Sequence, residues 1–189
     1  MHLRALSVLA LLAILVAGAG CVNDPAHEGA GATPTPVVRA DIALIAPEVL
    51  AAYVPPAPPG WQLLAPPSPV SLEEDGAAFV SVTASYLAEG PNGTSSPVAD
   101  LTIQDTGGRS VGLRRLVDRL ASPQANGTAP VPTTIRGQTA FIFTDGPITG
   151  AYLAVADRYI VWLAVTGGTR ADFDAFVAAL NLEGLSRQR

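Results

Sequence analysis

The pattern of apolar and polar positions between Gly150 and Gly168, GAYLAVADRYIVWLAVTGG, predicts the centre of the fold. Two apolar runs, residues 152–156 and 159–166, are broken only by Asp157 and Arg158. A polar dipeptide between two β-rich runs reads as a tight hairpin. With Asp157 and Arg158 as the loop, Ala156 faces Tyr159, Val155 faces Ile160 and Leu153 faces Trp162. One face then carries Leu153, Val155, Ile160 and Trp162, and the other Tyr152, Ala154, Val161 and Leu163. Strands apolar on both faces must be covered on both, which predicts a central place in the sheet.

Around that hairpin the pattern supplies further strands. Residues 77–88 alternate in part, with Phe79, Ser81, Thr83 and Ser85 on a wetter side and Val80, Val82, Ala84 and Tyr86 on the other. Residues 97–104 read as the next strand, and residues 133–136 and 139–144 as two short strands about Gly137. Asp145-Gly146-Pro147 is a turn. Helical spacing occurs twice. Ser110 caps residues 110–121, where Leu113, Leu116, Val117 and Leu120 form one apolar stripe. Thr169 caps residues 169–181, with Asp172 as a shortened capping box and Phe173, Phe176, Val177 and Leu180 as the stripe. Pro47 opens a short helix over residues 47–53.

Seven prolines fall between Val54 and Val70, and each removes a ladder donor, which excludes a central strand there. Residues 61–64 fit an edge strand, with Trp61 tucked into the core. Glu73, Glu74 and Asp75 lack the alternating spacing of a calcium loop and read as a solvated turn. The elements add up to an α+β fold, a single antiparallel sheet with two main helices packed on it.

The N-terminus has a different character. His2 and Arg4 precede an apolar run over residues 5–16, then Gly18, Ala19, Gly20 and the chain's only cysteine, Cys21. This is the layout of a secretory signal peptide whose apolar run is short for a bilayer span. Ala19-Gly20-Cys21 resembles the lipobox of prokaryotic lipoproteins, with Gly18 where that family usually has Leu. The resemblance implies a signal peptide over residues 1–20 and a lipid anchor on Cys21, placing the chain at a cell membrane or cell envelope on the exported side. Val22 rather than Asp follows, so the usual bacterial signal for inner-membrane retention is absent. Residues 21–40, rich in Gly, Ala, Pro and Thr, read as a flexible tether. Residues 41–189 form a single domain.

The chain of 189 residues carries a formal charge of −5 at pH 7, and all eleven of its basic residues are Arg. There is no basic block, which argues against a nucleic-acid partner. The two histidines are His2 and His27, so residues 41–189 contain neither His nor Cys. That removes thiol nucleophiles, Ser-His-Asp triads and ordinary zinc or haem sites, and no metal site or cofactor is expected. The pairs Gly107-Gly108 and Gly167-Gly168 lack a dinucleotide fingerprint. Asp100, Asp105, Asp145 and Asp157 lie near strand ends and are read first as turn residues. Asn92-Gly93-Thr94 and Asn126-Gly127-Thr128 are sequons, making Asn92 and Asn126 candidate glycosylation sites, although Asn-Gly is also a favoured turn pair.

From about residue 58, the order of elements resembles the PsbP-like α/β/α sandwich, with Pro59-Gly60-Trp61 as the opening. It is also similar to uncharacterised exported bacterial proteins of this size. The PsbP resemblance implies a non-catalytic accessory domain, hence not an enzyme. Three functions stay open. The first is a lipoprotein that binds an envelope protein or component. The second is a carrier holding an apolar ligand or lipid near Phe79, Phe141 and Trp162, and the third a hydrolase working through carboxylates alone.

Overall fold

The computed structural model describes residues 42–74, 77–88, 96–108 and 130–188. Cys21, the tether, Asn92, Asn126 and the expected helix over residues 110–121 lie outside the described residues.

The described residues form one eight-stranded antiparallel sheet and three helices. The strands are β1 (Trp61–Leu63), β2 (Ser68–Glu74), β3 (Ala77–Ala88), β4 (Val98–Asp105), β5 (Val131–Ile135), β6 (Gln138–Asp145), β7 (Ile148–Val155) and β8 (Tyr159–Thr166). The helices are α1 (Pro47–Ala51), α2 (Arg170–Ala179) and α3 (Leu182–Arg187). The sheet order is β1-β3-β4-β8-β7-β6-β5, with β2 sharing the outer edge of β3 with β1. Strands β7 and β8 are therefore interior, as their two-sided apolar pattern requires.

The hairpin register differs by one residue from the sequence expectation. Val155 pairs with Tyr159, Leu153 with Val161 and Tyr152 with Trp162. The loop is three residues long, closed by the Arg158 N–H donated to the Val155 carbonyl at 3.1 Å, with Ala156 and Asp157 both at φ 52°. A one-residue slip exchanges the faces of a whole strand. Val161 and Leu163 therefore join Leu153 and Val155 in the core, whereas Ile160 and Trp162 turn to the other face with Tyr152 and Ala154. The physical reason is Arg158, which is drawn out of the turn into a buried ion pair.

The first face of the sheet carries the core. Val80, Val82, Ala84 and Tyr86 of β3 lie beside Ala99, Leu101 and Ile103 of β4, then Tyr159, Val161, Leu163 and Val165 of β8. The described helices close this face. Leu50 of α1, Phe173 and Phe176 of α2, and Leu182 and Leu185 of α3 share one apolar cluster with it. Phe176 is the keystone: the Trp61 and Tyr86 rings each meet it edge-on with centroids 4.9 Å away. Thr169 and Asp172 complete a reciprocal capping box, and Asn181 caps α3 through the Gly184 N–H. Where α2 ends, Arg136 donates to the Leu180 carbonyl at 2.6 Å, a cation at the negative end of a helix.

At the proline-rich edge no central strand forms, as expected; β1 is the expected edge strand, and β2 is a second edge strand that was not expected. Ser68–Glu74 is a seven-residue strand whose Pro69 pairs with Val82, tolerated because β2 has a free outer side. Glu73 and Glu74 are thus the last residues of a strand, opposite Ala78 and Ala77, rather than a turn.

Candidate functional site

Asp105 is the last residue of β4, and Thr106, Gly107 and Gly108 follow it. Arg158 stands at the end of the β7–β8 loop, beside Tyr159, which pairs with Asp105. The two meet as a bidentate ion pair: Arg158 Nε donates to Asp105 Oδ1 at 2.8 Å and a terminal nitrogen to Oδ2 at 2.6 Å. Both are buried, with Asp105 fully out of contact with solvent. Two backbone donors complete the carboxylate, Gly107 N–H on Oδ1 at 2.9 Å and Ile45 N–H on Oδ2 at 2.8 Å. The same guanidinium nitrogen donates to the Ala43 carbonyl at 2.9 Å. Thr106 returns the contact, its N–H and hydroxyl both donating to the Arg158 carbonyl, at 3.1 and 2.6 Å.

Burial alone would raise the Asp105 carboxyl. The hydrogen bonds from Arg158, Ile45 and Gly107, with the guanidinium charge, outweigh it and hold the group below its usual value. Arg158 is raised, chiefly by the hydrogen bond to Asp105. The arm at residues 42–45 reaches this point by passing over two glycines of positive φ. A Cβ on Gly108 would stand 2.8 Å from Ile42 Cδ1, and one on Gly107 3.3 Å from the Ile42 carbonyl oxygen. That close approach is the use of the Gly107-Gly108 pair. At the far end of the chain, Tyr159 donates to the Gln188 carbonyl at 3.2 Å.

A carboxylate holding four donors has no lone pair free for a proton, a metal or a nucleophilic attack. The arrangement is chemically closed, and among the described residues no buried side-chain nitrogen or oxygen lacks a partner. It joins four separated parts of the chain: the entering arm, the end of β4, the β7–β8 loop and the C-terminus. Sequence reasoning took Asp105 and Arg158 for turn residues. They lie 53 positions apart, so local spacing carries no signal of their meeting.

The other expected side chains lie on the second face of the sheet. Phe141, Tyr152 and Trp162 are direct cross-strand neighbours in one row over β6, β7 and β8, continued by Thr102 and Thr83. Phe143 lies beside Tyr152, ring centroids 5.6 Å apart. Its ring also covers Gly150, where a Cβ would stand 2.3 Å from the ring edge. Phe79 shares the face on β3 but stands off this row, since it pairs with Leu72. Phe141 and Ala164 are each only 5% exposed, and Tyr152 is held above its usual pKa by burial.

Among the described residues the carboxylates do not gather as a group. Asp100 accepts a hydrogen bond from Ser85 at 2.6 Å, Asp172 is engaged by Thr169 and Trp61, and Asp105 by Arg158. Among the described residues no three His, Cys, Asp or Glu side chains gather as a metal group, and no helix is long and apolar enough to cross a membrane.

No protein-family model, curated protein or solved structure matches this chain.

Proposed function

We propose that the protein is an exported lipoprotein, attached to a membrane through lipid on Cys21, whose α+β domain binds an envelope component without catalysis. The observation that carries this reading is positional. The only cysteine of 189 residues stands after an apolar run and the small residues that end in Ala19-Gly20, and before a stretch without apolar period. Two acyl chains on that thiol give stable attachment where one would not, each buried methylene contributing about 0.8 kcal/mol.

The domain's own chemistry supports the non-catalytic half. The one buried ion pair among the described residues is saturated, and residues 41–189 supply neither His nor Cys. The PsbP-like α/β/α sandwich belongs to the same proposal, with the described helices as one of its two helical layers. A carrier of an apolar ligand is the second reading, favoured by the row of Phe141, Tyr152 and Trp162 across three adjacent strands.

Cell fractionation of the full chain tests the anchor. The wild-type protein is expected in the membrane fraction and in the detergent phase of a cloud-point separation. Cys21→Ser is expected either in the soluble fraction or at the membrane as an uncleaved precursor, longer by residues 1–20. Wild type and variant partitioning alike, at the same length, would refute the anchor. Co-purification from solubilised membranes then separates the partner reading from the carrier reading, since a carrier brings down lipid rather than protein.

A further inference from the structure

Among the described residues no strand pairs with the outer side of β2, and the ladder fixes which backbone groups that side presents. Successive residues of a strand direct their N–H and C=O to opposite sides. The Ser85 carbonyl accepts from the Leu64 N–H at 2.9 Å, whereas the Ala88 N–H donates to the Pro97 carbonyl, on the β4 side, at 3.0 Å. Phe79, Ser81, Thr83 and Ser85 of β3 therefore all turn to the β1–β2 side, since the β3–β4 register runs without a break. Their opposite residues, Leu72, Val70 and Ser68, turn inward to meet them. Pro69, Ser71 and Glu73 turn outward. Pro69 lacks only an outward donor, which is what admits it to this strand.

The side chains of this edge sort in the same way. Val70 and Leu72, opposite Ser81 and Phe79, lie on the second face and are 41% and 43% exposed. Pro69, Ser71 and Glu73 alternate with them, and Ser71 and Glu73 are exposed. A seven-residue edge with open backbone groups and exposed aliphatic side chains is a template for another strand.

We infer that this edge joins two copies of the chain, β2 pairing antiparallel with β2 of the second copy about a two-fold axis at Ser71. The edge is complementary to itself in that register, as a two-fold contact requires. The two Ser71 residues exchange both hydrogen bonds, and each Glu73 N–H donates to the Pro69 carbonyl of the other copy. Val70 then faces Leu72 of the second copy on both sides of the axis, at positions outside the hydrogen-bonded pairs, where side chains come closest. The two Glu73 residues stand four positions apart, about 14 Å along the strands. That exceeds the screening length of about 8 Å at physiological salt. Neighbouring registers fail. An axis at Val70 sets Pro69 against Ser71 and halves the central bonds, and one at Leu72 brings the Glu73 residues to about 7 Å. A single edge is small beside the roughly 800 Å² per partner of a standard interface, so the association is reversible. It holds whether or not Cys21 carries lipid.

The test uses the full chain in detergent, where the wild type is expected to sediment as monomer and dimer in reversible equilibrium. Ser71→Pro removes an outward N–H that no described residue of the monomer uses, and Leu72→Lys places a charge in the apolar pair. Each should weaken association by about tenfold or more, with the melting temperature of the dilute protein unchanged. The contact itself is read by cross-linking. Cys21→Ser with Ser71→Cys leaves one thiol, on the axis, where paired Cα atoms stand about 5.5 Å apart, within disulfide reach. Air oxidation should link two copies, and adding Leu72→Lys should abolish the link. Thr133→Cys in the same background, exposed on the opposite edge strand β5, should stay unlinked. A chain monomeric at every concentration, with or without another protein attached, would overturn the proposal. So would a dimer that both Ser71→Pro and Leu72→Lys leave intact, or linkage at Thr133→Cys equal to that at Ser71→Cys.

Discussion

Asp105 and Arg158 show how much one residue pair decides. A surface ion pair contributes little, but removing one partner of a buried pair leaves a charge without compensation. Arg158→Met should destabilise the domain by about 3–5 kcal/mol in urea unfolding. The loss should shrink as pH falls far enough to protonate the orphaned carboxylate. A loss below about 1 kcal/mol would mean that the pair is open to water. The tyrosines set the alkaline limit. Tyr86, whose hydroxyl donates to the Pro55 carbonyl at 2.7 Å, is pushed up to about 12 by burial. Tyr159 is pushed up to about 12 as well, burial outweighing the pull of Arg158. A raised value favours the protonated, folded form, so this stability is complete below pH 10 and is lost between pH 10 and 12. Each unit of difference corresponds to about 1.4 kcal/mol. The urea midpoint should fall steeply over that window, and a flat midpoint through pH 11 would contradict the burial of both phenols.

At the scale of elements, the β7–β8 loop separates what the sequence could tell from what it could not. The existence of β3, β4, β6, β7, β8 and α2 follows from period and caps, because each buries a face large enough to dominate its local pattern. The register of the central hairpin does not follow. Its turn residues, Ala156 and Asp157, take positive φ without being Gly or Asn, so the usual turn signal is missing. The compensating contact, Arg158 with Asp105, comes from a strand 53 residues away. Strand β2 was hidden for a related reason: prolines argue against a strand unless its outer edge is known to be free. In the candidate site, Phe79, Phe141 and Trp162 were expected to line one cavity, but the expected register set Trp162 on the face opposite Tyr152, which in the structure stands between Phe141 and Trp162; the buried ion pair was not readable at all. Relaxing the turn tests this account, since an Ala at positive φ carries strain that Gly lacks. Ala156→Gly should raise stability by about 1 kcal/mol, seen as a higher melting temperature. A lower one would show that the loop gains nothing from Gly.

For the whole molecule, the described residues and the N-terminal sequence divide the work. The core face is closed by α1, α2 and α3, and the entering arm is held at Ala43 and Ile45 by the buried pair. The proposed lipid anchor requires Cys21 to be the first residue of the mature chain. The most direct measurement is the mass of the mature N-terminal peptide, taken from protein purified out of membranes in detergent. The account predicts a peptide that begins at Cys21 and carries the added mass of covalent lipid. A peptide beginning at any other residue, with no lipid attached, would contradict it.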